Sequence, residues 1–175
     1  MTIAPDTKDW TWVLDTACPE CGFDARAVAV DAIAGAIRDN AAFWAQALTA
    51  DGVEQRPEPG VWSPVEYACH VRDVHRVFTE RLALMLTEDD PLFANWDQDE
   101  TAVAERYDLQ SAPVVAQELA AVAEAAAAAY ERVTGDQWDR PGRRSNGSVF
   151  TVTTLGRYQL HDLVHHRWDL RRLDS

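Results

Sequence analysis

The C-terminal segment, residues 151 to 173, constrains the fold more than any other part of the chain. It reads as one amphipathic helix that places His161 and His165 four residues apart. Residues i and i+4 of a helix lie one above the other, so both imidazoles share an apolar, inward-looking face with Tyr158 and Trp168. Polar imidazoles on an inward face need partners there. The segment therefore predicts a buried polar site in a helical core.

Three further segments repeat apolar residues at helical spacing. Together with the C-terminal segment they predict four long helices, at residues 24–50, 64–87, 112–134 and 151–173. Ser63, Pro64 and Glu66 form a capping box with proline at the first helical position of the second helix. Residues 88 to 110 read as an acidic linker with a short helical turn, and residues 145–148 favour a tight turn or short hairpin. The expected fold is all-α, a four-helix bundle.

Length and charge bound the partners of the chain. Its 175 residues predict one helical-bundle domain at residues 24–175, after an irregular lead-in at residues 1–23. The net charge of −13 argues against nucleic acid and against an anionic membrane surface as partners. The first residues contain no apolar signal segment, and no run approaches the ~18 apolar residues of a membrane span. We expect a cytoplasmic protein, with a homodimer as one possible assembly.

The two stacked imidazoles can chelate one divalent metal, and His70 is the best third ligand. His70 falls on the apolar stripe of the second helix, whereas His75, about 140° further round, is expected to face solvent. Three histidines leave coordination positions open, as catalytic metals require. Imidazoles suit zinc, nickel, iron or copper. The alternative is that His161 and His165 are core histidines bound to carboxylates and backbone, and His166 is a ligand, a supporting group or a surface residue.

Cys18 and Cys21 stand in C-x-x-C spacing within the lead-in. That spacing serves zinc sites and redox pairs, but the chain has no second C-x-x-C. Three interpretations stay open: structural or incidental thiols, a thiol pair close to the metal site, and a reversible redox pair.

The chain resembles the DinB/YfiT-like superfamily of bacterial four-helix proteins over residues 24 to 173. The matching pieces are WSPVEYACHV at 62–71 and RPGRRSNGSVFTVTTLGRYQLHDLVHH at 140–166. The resemblance implies a divalent metal, zinc or nickel, held by one histidine of the second helix and an H-x-x-x-H of the last. These positions correspond to His70, His161 and His165. The CPECG sequence is not part of the general family pattern.

The resemblance also implies an activity, because characterised relatives include S-transferases and maleylpyruvate isomerase-like proteins that use mycothiol, bacillithiol or glutathione. We therefore expect a metal-dependent transfer of a low-molecular-weight thiol to a small electrophile. Arg143, Arg144 and Arg157 would receive carboxylates of the thiol or acceptor, since guanidinium groups suit them. Trp62 and Tyr158 would line the pocket. The arginines could equally be a solvated loop that balances an acidic surface.

Two other functions use the same residues. A non-catalytic metal-binding or stress-associated module would work by association, and a fourth protein ligand such as Cys18, Cys21 or His166 would close its metal site. A hydrolase would use water activated by the metal. No nucleophile-elbow, P-loop or dinucleotide-binding motif is present in the sequence, so serine hydrolase and nucleotide-binding functions have no support.

Overall fold

The computed structural model describes Ile3 and residues 8 to 173, except the side chain of Leu173. The α-helices of this described part are α1 (Ile33–Ala47), α2 (Pro64–Thr87), α3 (Gln98–Ala104), α4 (Ala112–Glu131) and α5 (Val152–Leu173). Helix α2 packs against α4 and α5, and α1 packs against the same two helices. The predicted all-α, four-helix-bundle class is confirmed, with α1, α2, α4 and α5 as the bundle.

Helix α2 begins at the predicted capping box. The Ser63 hydroxyl accepts a hydrogen bond from the Glu66 amide at 3.2 Å, and the Glu66 carboxylate accepts one from the Ser63 amide at 2.8 Å. Arg56 adds an ion pair to the same buried carboxylate. Two amide donors of the first turn are thereby satisfied, which fixes where α2 starts and sets the register of His70.

The first bundle helix is shorter than predicted. The chain forms 3₁₀ turns at Ala25–Ala27 and Val30–Ala32 before α1 starts at Ile33. Between the turns Val28 is extended, and its carbonyl accepts hydrogen bonds from Arg157 of α5 at 2.7 and 3.0 Å. The extended backbone at Val28 interrupts the predicted helix, and the hydrogen bonds from Arg157 stabilise it there.

A small sheet, β1 (Leu92–Phe93), β2 (Pro141–Arg144) and β3 (Val149–Thr151), lies at the start of α5. Strands β2 and β3 form an antiparallel hairpin at the place where the sequence favoured one, and β1 adds in parallel to β2. Gly142 is required in β2, because an added Cβ would lie 2.6 Å from the Met85 side chain. The hairpin leads directly into α5 and so positions the first turn of that helix.

His75 does not face solvent, and the prediction that it does is wrong. Its side chain is fully buried, and Gln159 of α5 contacts Nδ1 of His75 at 3.1 Å. Helix α2 is covered on several sides because it packs on α4, on α5 and on the short 3₁₀ turn at Tyr107–Leu109. A single apolar stripe therefore underestimates how much of α2 is buried.

Among the described helices, α4 has the length and apolar composition that could span a membrane. A core helix of a bundle meets the same test. In the structure Val115, Leu119, Ala123 and Ala126 of α4 are buried against the rest of the core. The packing of this seam accounts for the buried third of the helix.

Burial lowers the pKa of His75 to about 4. A folded-state pKa below the unfolded value contributes stability that is complete above pH 6.5 and is lost as the pH falls toward 4. The wild type should lose unfolding free energy between pH 8 and pH 5, in part because His75 becomes protonated on unfolding. In His75→Gln, which keeps a polar partner for Gln159, we expect this loss to be smaller by roughly 2 kcal/mol. Urea denaturation of both proteins across this range measures it. Parallel pH profiles would contradict the prediction.

Two candidate metal centres

Helix α5 carries two pairs of potential ligands that are offset by one residue. His161 and His165 form one pair, and Asp162 and His166 form the other. Each pair spans i and i+4 and therefore shares a face, but the two faces lie about 100° apart around the helix axis. As a result, α5 presents ligands in two directions, one toward α2 and one toward the N-terminal segment, defined here as residues 8–32.

The first centre consists of His70, Asp162 and His166 and is called the His-Asp-His group. Their ligand atoms all lie within 4.8 Å of one another. Nε2 of His70 and Nε2 of His166 approach the same carboxylate oxygen, Oδ1 of Asp162, at 3.2 and 3.6 Å. Two imidazole nitrogens and a carboxylate oxygen are a donor set that suits zinc, nickel or iron.

The neighbours of this group fix the orientation of its rings. Nδ1 of His166 lies 3.0 Å from Oδ2 of Asp169. With the proton on Nδ1, His166 donates to Asp169 and turns the lone pair of Nε2 toward the Asp162 carboxylate. A lone pair and an anionic oxygen that face each other are stabilised by a cation between them. Trp96 stacks on the His70 ring at a centroid distance of 5.4 Å, and Trp62 lies at 5.5 Å.

The electrostatics keep His70 and Asp162 in the forms that bind metals. Burial lowers the pKa of His70, so its imidazole is neutral near pH 7. Burial alone would raise the pKa of Asp162, but the neighbouring His70 and His166 outweigh it and bring the pKa well below its usual range. Neutral imidazoles and an ionised carboxylate are the states in which these side chains coordinate a cation.

The second centre consists of Cys18, Cys21, His161 and His165 and is called the Cys2His2 group. Its four ligand atoms also lie within 4.8 Å of one another. Cys18, His161 and His165 are buried and Cys21 is half-buried. Burial raises the pKa of the Cys21 thiol to about 11, and burial lowers the pKa of His161 to about 4.

A tight turn presents the two thiols of this group. The amide of Cys18 donates to the Phe23 carbonyl and the amide of Gly22 donates to the Cys18 carbonyl, both at 2.9 Å. Gly22 adopts a left-handed conformation with φ of +76°, which favours glycine. The CPECG sequence thus forms a closed turn that brings both Sγ atoms to one side.

The structure separates the three histidines that the sequence analysis grouped. His70 lies with Asp162 and His166, whereas His161 and His165 lie with the two cysteines of the N-terminal segment. The i, i+4 spacing was the signal used for His161 and His165. Asp162 and His166 have the same spacing, so the same signal applied to a D-x-x-x-H pattern could have found them.

The proposed pocket residues fall in different places. Trp62 lies beside His70, and Tyr158 lines a cavity of about 150 Å³ that both centres border. Arg143 pairs with Asp90, and Arg157 is occupied by the Val28 carbonyl. Arg144 extends over the Tyr158 ring at 5.8 Å. Of the three arginines, Arg144 is therefore the one placed next to a residue of the cavity.

Helical packing and these two ligand clusters define a four-helix-bundle protein with candidate metal centres in its core. The model of the DinB superfamily matches residues 35–170, and the chain belongs to that superfamily. Among solved structures, it is similar to YfiT from Bacillus subtilis, described as a probable metal-dependent hydrolase with an unusual four-helix bundle topology. That likeness has 20% sequence identity, covers 82% of this chain and 86% of YfiT, and has a TM-score of 0.71. No curated protein matches the chain.

Asp169 provides a test of the His-Asp-His group outside its three ligands. Asp169→Ala removes the acceptor that orients His166, so we expect the affinity of this centre for zinc to fall about 10- to 100-fold. Competition with a chelator measures the dissociation constant. Asp136→Ala, which removes an exposed aspartate outside both groups, serves as the control. Equal affinities in the two variants would contradict the assignment.

Proposed function

We propose that the chain is a metal-dependent enzyme whose catalytic centre is the His-Asp-His group. The observation that carries this proposal is the convergence of three protein ligands beside a cavity. His70, Asp162 and His166 supply the ligand atoms, and Asp162 and His166 also line the cavity. Three protein ligands with adjoining space are typical of catalytic metals, whereas four close a site.

A zinc or nickel ion held by these three residues would act as a Lewis acid and lower the pKa of a nucleophile in an open position. The chain itself supplies the rest of the site. Asp162 contributes the negative charge that balances the cation, and Asp169 holds the His166 ring. Trp96 and Trp62 cover the His70 ring and keep bulk water away from it, which strengthens electrostatic interactions there.

The lining of the cavity favours hydrolysis of a small, uncharged substrate. None of the described residues that line it is lysine or arginine, and Asp162 and Asp169 make its surface acidic. With a divalent cation bound, these two carboxylates balance its charge and leave no excess positive charge to attract an anion, which favours a neutral ester or amide. Trp10 and Tyr158 offer apolar surface, and Gln98 offers an amide that can hydrogen-bond a carbonyl. The description of YfiT as a probable metal-dependent hydrolase supports the same class of reaction.

Thiol transfer is the second candidate, and Arg144 favours it. Its guanidinium lies over Tyr158 and hydrogen-bonds neutral oxygens of Asn146 and Ser148, and the Asp9 carboxylate interacts with it electrostatically. A carboxylate of a low-molecular-weight thiol could pair with it while the sulfur reached the metal. Arg144→Ala distinguishes the two reactions, because it would lower thiol-transfer activity and leave hydrolysis of neutral substrates nearly unchanged.

Activity of the metal-loaded protein tests the proposal. The protein is stripped with a chelator and reloaded with zinc or nickel. It is then assayed against neutral esters and amides, and against small electrophiles with mycothiol, bacillithiol or glutathione. We expect metal-dependent turnover that Asp162→Asn and His166→Ala each lower about 1,000-fold, because a Lewis acid contributes several kcal/mol to the transition state.

His75→Gln is the matched control, since it replaces a buried histidine of α2 that belongs to neither centre. Its activity should stay within about threefold of the wild type. Turnover that needs no metal, or that survives both ligand substitutions, would exclude this catalytic centre. Metal binding without turnover in either assay would point instead to a non-catalytic module.

A further inference from the structure

We propose that the Cys2His2 group is a second metal site, distinct from the His-Asp-His group, that binds zinc and fastens the N-terminal segment to α5. It is closed, because the protein supplies all four ligands. Its metal has a structural role and takes no part in turnover. The proposal does not depend on the reaction proposed above.

The spacing of the ligands is that of a structural zinc site. Cys18 and Cys21 are separated by two residues and His161 and His165 by three, and zinc sites of the Cys2His2 class use both spacings. Sγ of Cys18 lies 3.7 Å from Nδ1 of His165. Across a tetrahedral zinc with ordinary bond lengths the sulfur and nitrogen would be about 3.6 Å apart. The pair is thus separated by the distance that a shared zinc requires.

His161 gives an independent indication of a ligand. Its side chain is 4% exposed, and its Nε2 is buried with no hydrogen-bond partner among the described residues. A buried polar atom without a partner costs roughly 1–3 kcal/mol. The His161 imidazole has a ligand atom within 4.8 Å of the thiols of Cys18 and Cys21 and of the His165 imidazole. A metal at that point would satisfy it.

Aromatic side chains pack around the two histidines of this group. The Trp10 ring lies 5.0 Å from the His165 ring and 5.5 Å from the His161 ring, and Phe23 lies 5.9 Å from His161. Glu20, within the CPECG turn, places a carboxylate oxygen 3.7 Å from Nε2 of His165, the nitrogen opposite the one that approaches Cys18. Carboxylates in that position support histidine ligands of zinc. Four protein ligands are typical of structural zinc.

This site joins a part of the chain that the family model matches to a part that it does not match. Cys18 and Cys21 lie outside the residues matched by the DinB superfamily model, whereas His161 and His165 lie within them. Trp10, which packs on both histidines, also lines the cavity beside His166. By holding the N-terminal segment in place, zinc would fix one wall of the cavity.

Cobalt and zinc binding test the proposal in the full-length protein. The wild type should bind two equivalents of zinc, and cobalt should produce the near-ultraviolet charge-transfer band of a thiolate ligand. Cys18→Ser/Cys21→Ser should bind one equivalent and lose the band. His70→Ala/His166→Ala should also bind one equivalent but keep the band. Cys69→Ser is the matched control, since this buried thiol belongs to neither group, and it should behave as the wild type.

A second variant keeps the test decisive if the double serine variant does not fold. His165→Cys supplies a third thiolate, so it should retain two equivalents and increase the charge-transfer intensity by about half. Absence of the band in the cobalt-loaded wild type would overturn the proposal. It would also be overturned if the band persisted in Cys18→Ser/Cys21→Ser, or if His70→Ala/His166→Ala lost it. Absence of turnover in a metal-loaded wild type that shows the band would instead contradict only the catalytic assignment.

Discussion

The site architecture depends on the one-residue offset between two ligand pairs on α5. A helix turns about 100° per residue, so adjacent side chains cannot point to the same place. Asp162 and His166 are directed toward His70 of α2, while His161 and His165 are directed toward the N-terminal segment. A single helix therefore serves two centres of different chemistry, one containing a carboxylate and the other containing thiols. The register of α5, set by the β2–β3 hairpin before it, decides which partner each imidazole meets.

The N-terminal segment needs such an attachment because it has little regular structure of its own. Its described part contains 3₁₀ turns and no α-helix before Ile33. Val13 and Ala25 are buried, and Arg157 holds the Val28 carbonyl. Short 3₁₀ turns have poor hydrogen-bond geometry and contribute little stability. In the proposed account a four-ligand zinc site supplies the missing constraint, and binding of a structural zinc is at the same time folding free energy.

The sequence predicted well the features that are encoded locally. The capping box at Ser63, the hairpin at residues 145–148 and the helical face shared by His161 and His165 each depend on neighbours within a few residues. Features set by packing were missed. His75 was expected in solvent because one stripe was taken for the whole buried surface of α2. The start of the first predicted helix was misplaced because Val28 is extended and is stabilised by Arg157, 129 positions away in the sequence.

The grouping of the ligands could be predicted only in part. Sequence spacing identifies which residues share a helix face, but it cannot say which distant residue meets that face. Cys18 and His165 are 147 positions apart, and His70 and Asp162 are 92 apart. Asp162 was not among the predicted ligands, because nothing in its spacing indicates that it meets His70 of α2. Its position between His70 and His166 follows from the packing of α2 against α5.

Zinc X-ray absorption of the two ligand-deletion variants tests the central claim most directly. In His70→Ala/His166→Ala the remaining zinc should have two sulfur neighbours at about 2.3 Å and two nitrogens at about 2.0–2.1 Å. In Cys18→Ser/Cys21→Ser the remaining zinc should have nitrogen and oxygen neighbours only. That pair of results is what two separate centres on adjacent faces of α5 predict. A sulfur shell that disappears when His70 and His166 are removed would contradict the account, because it would place all of these ligands around one metal.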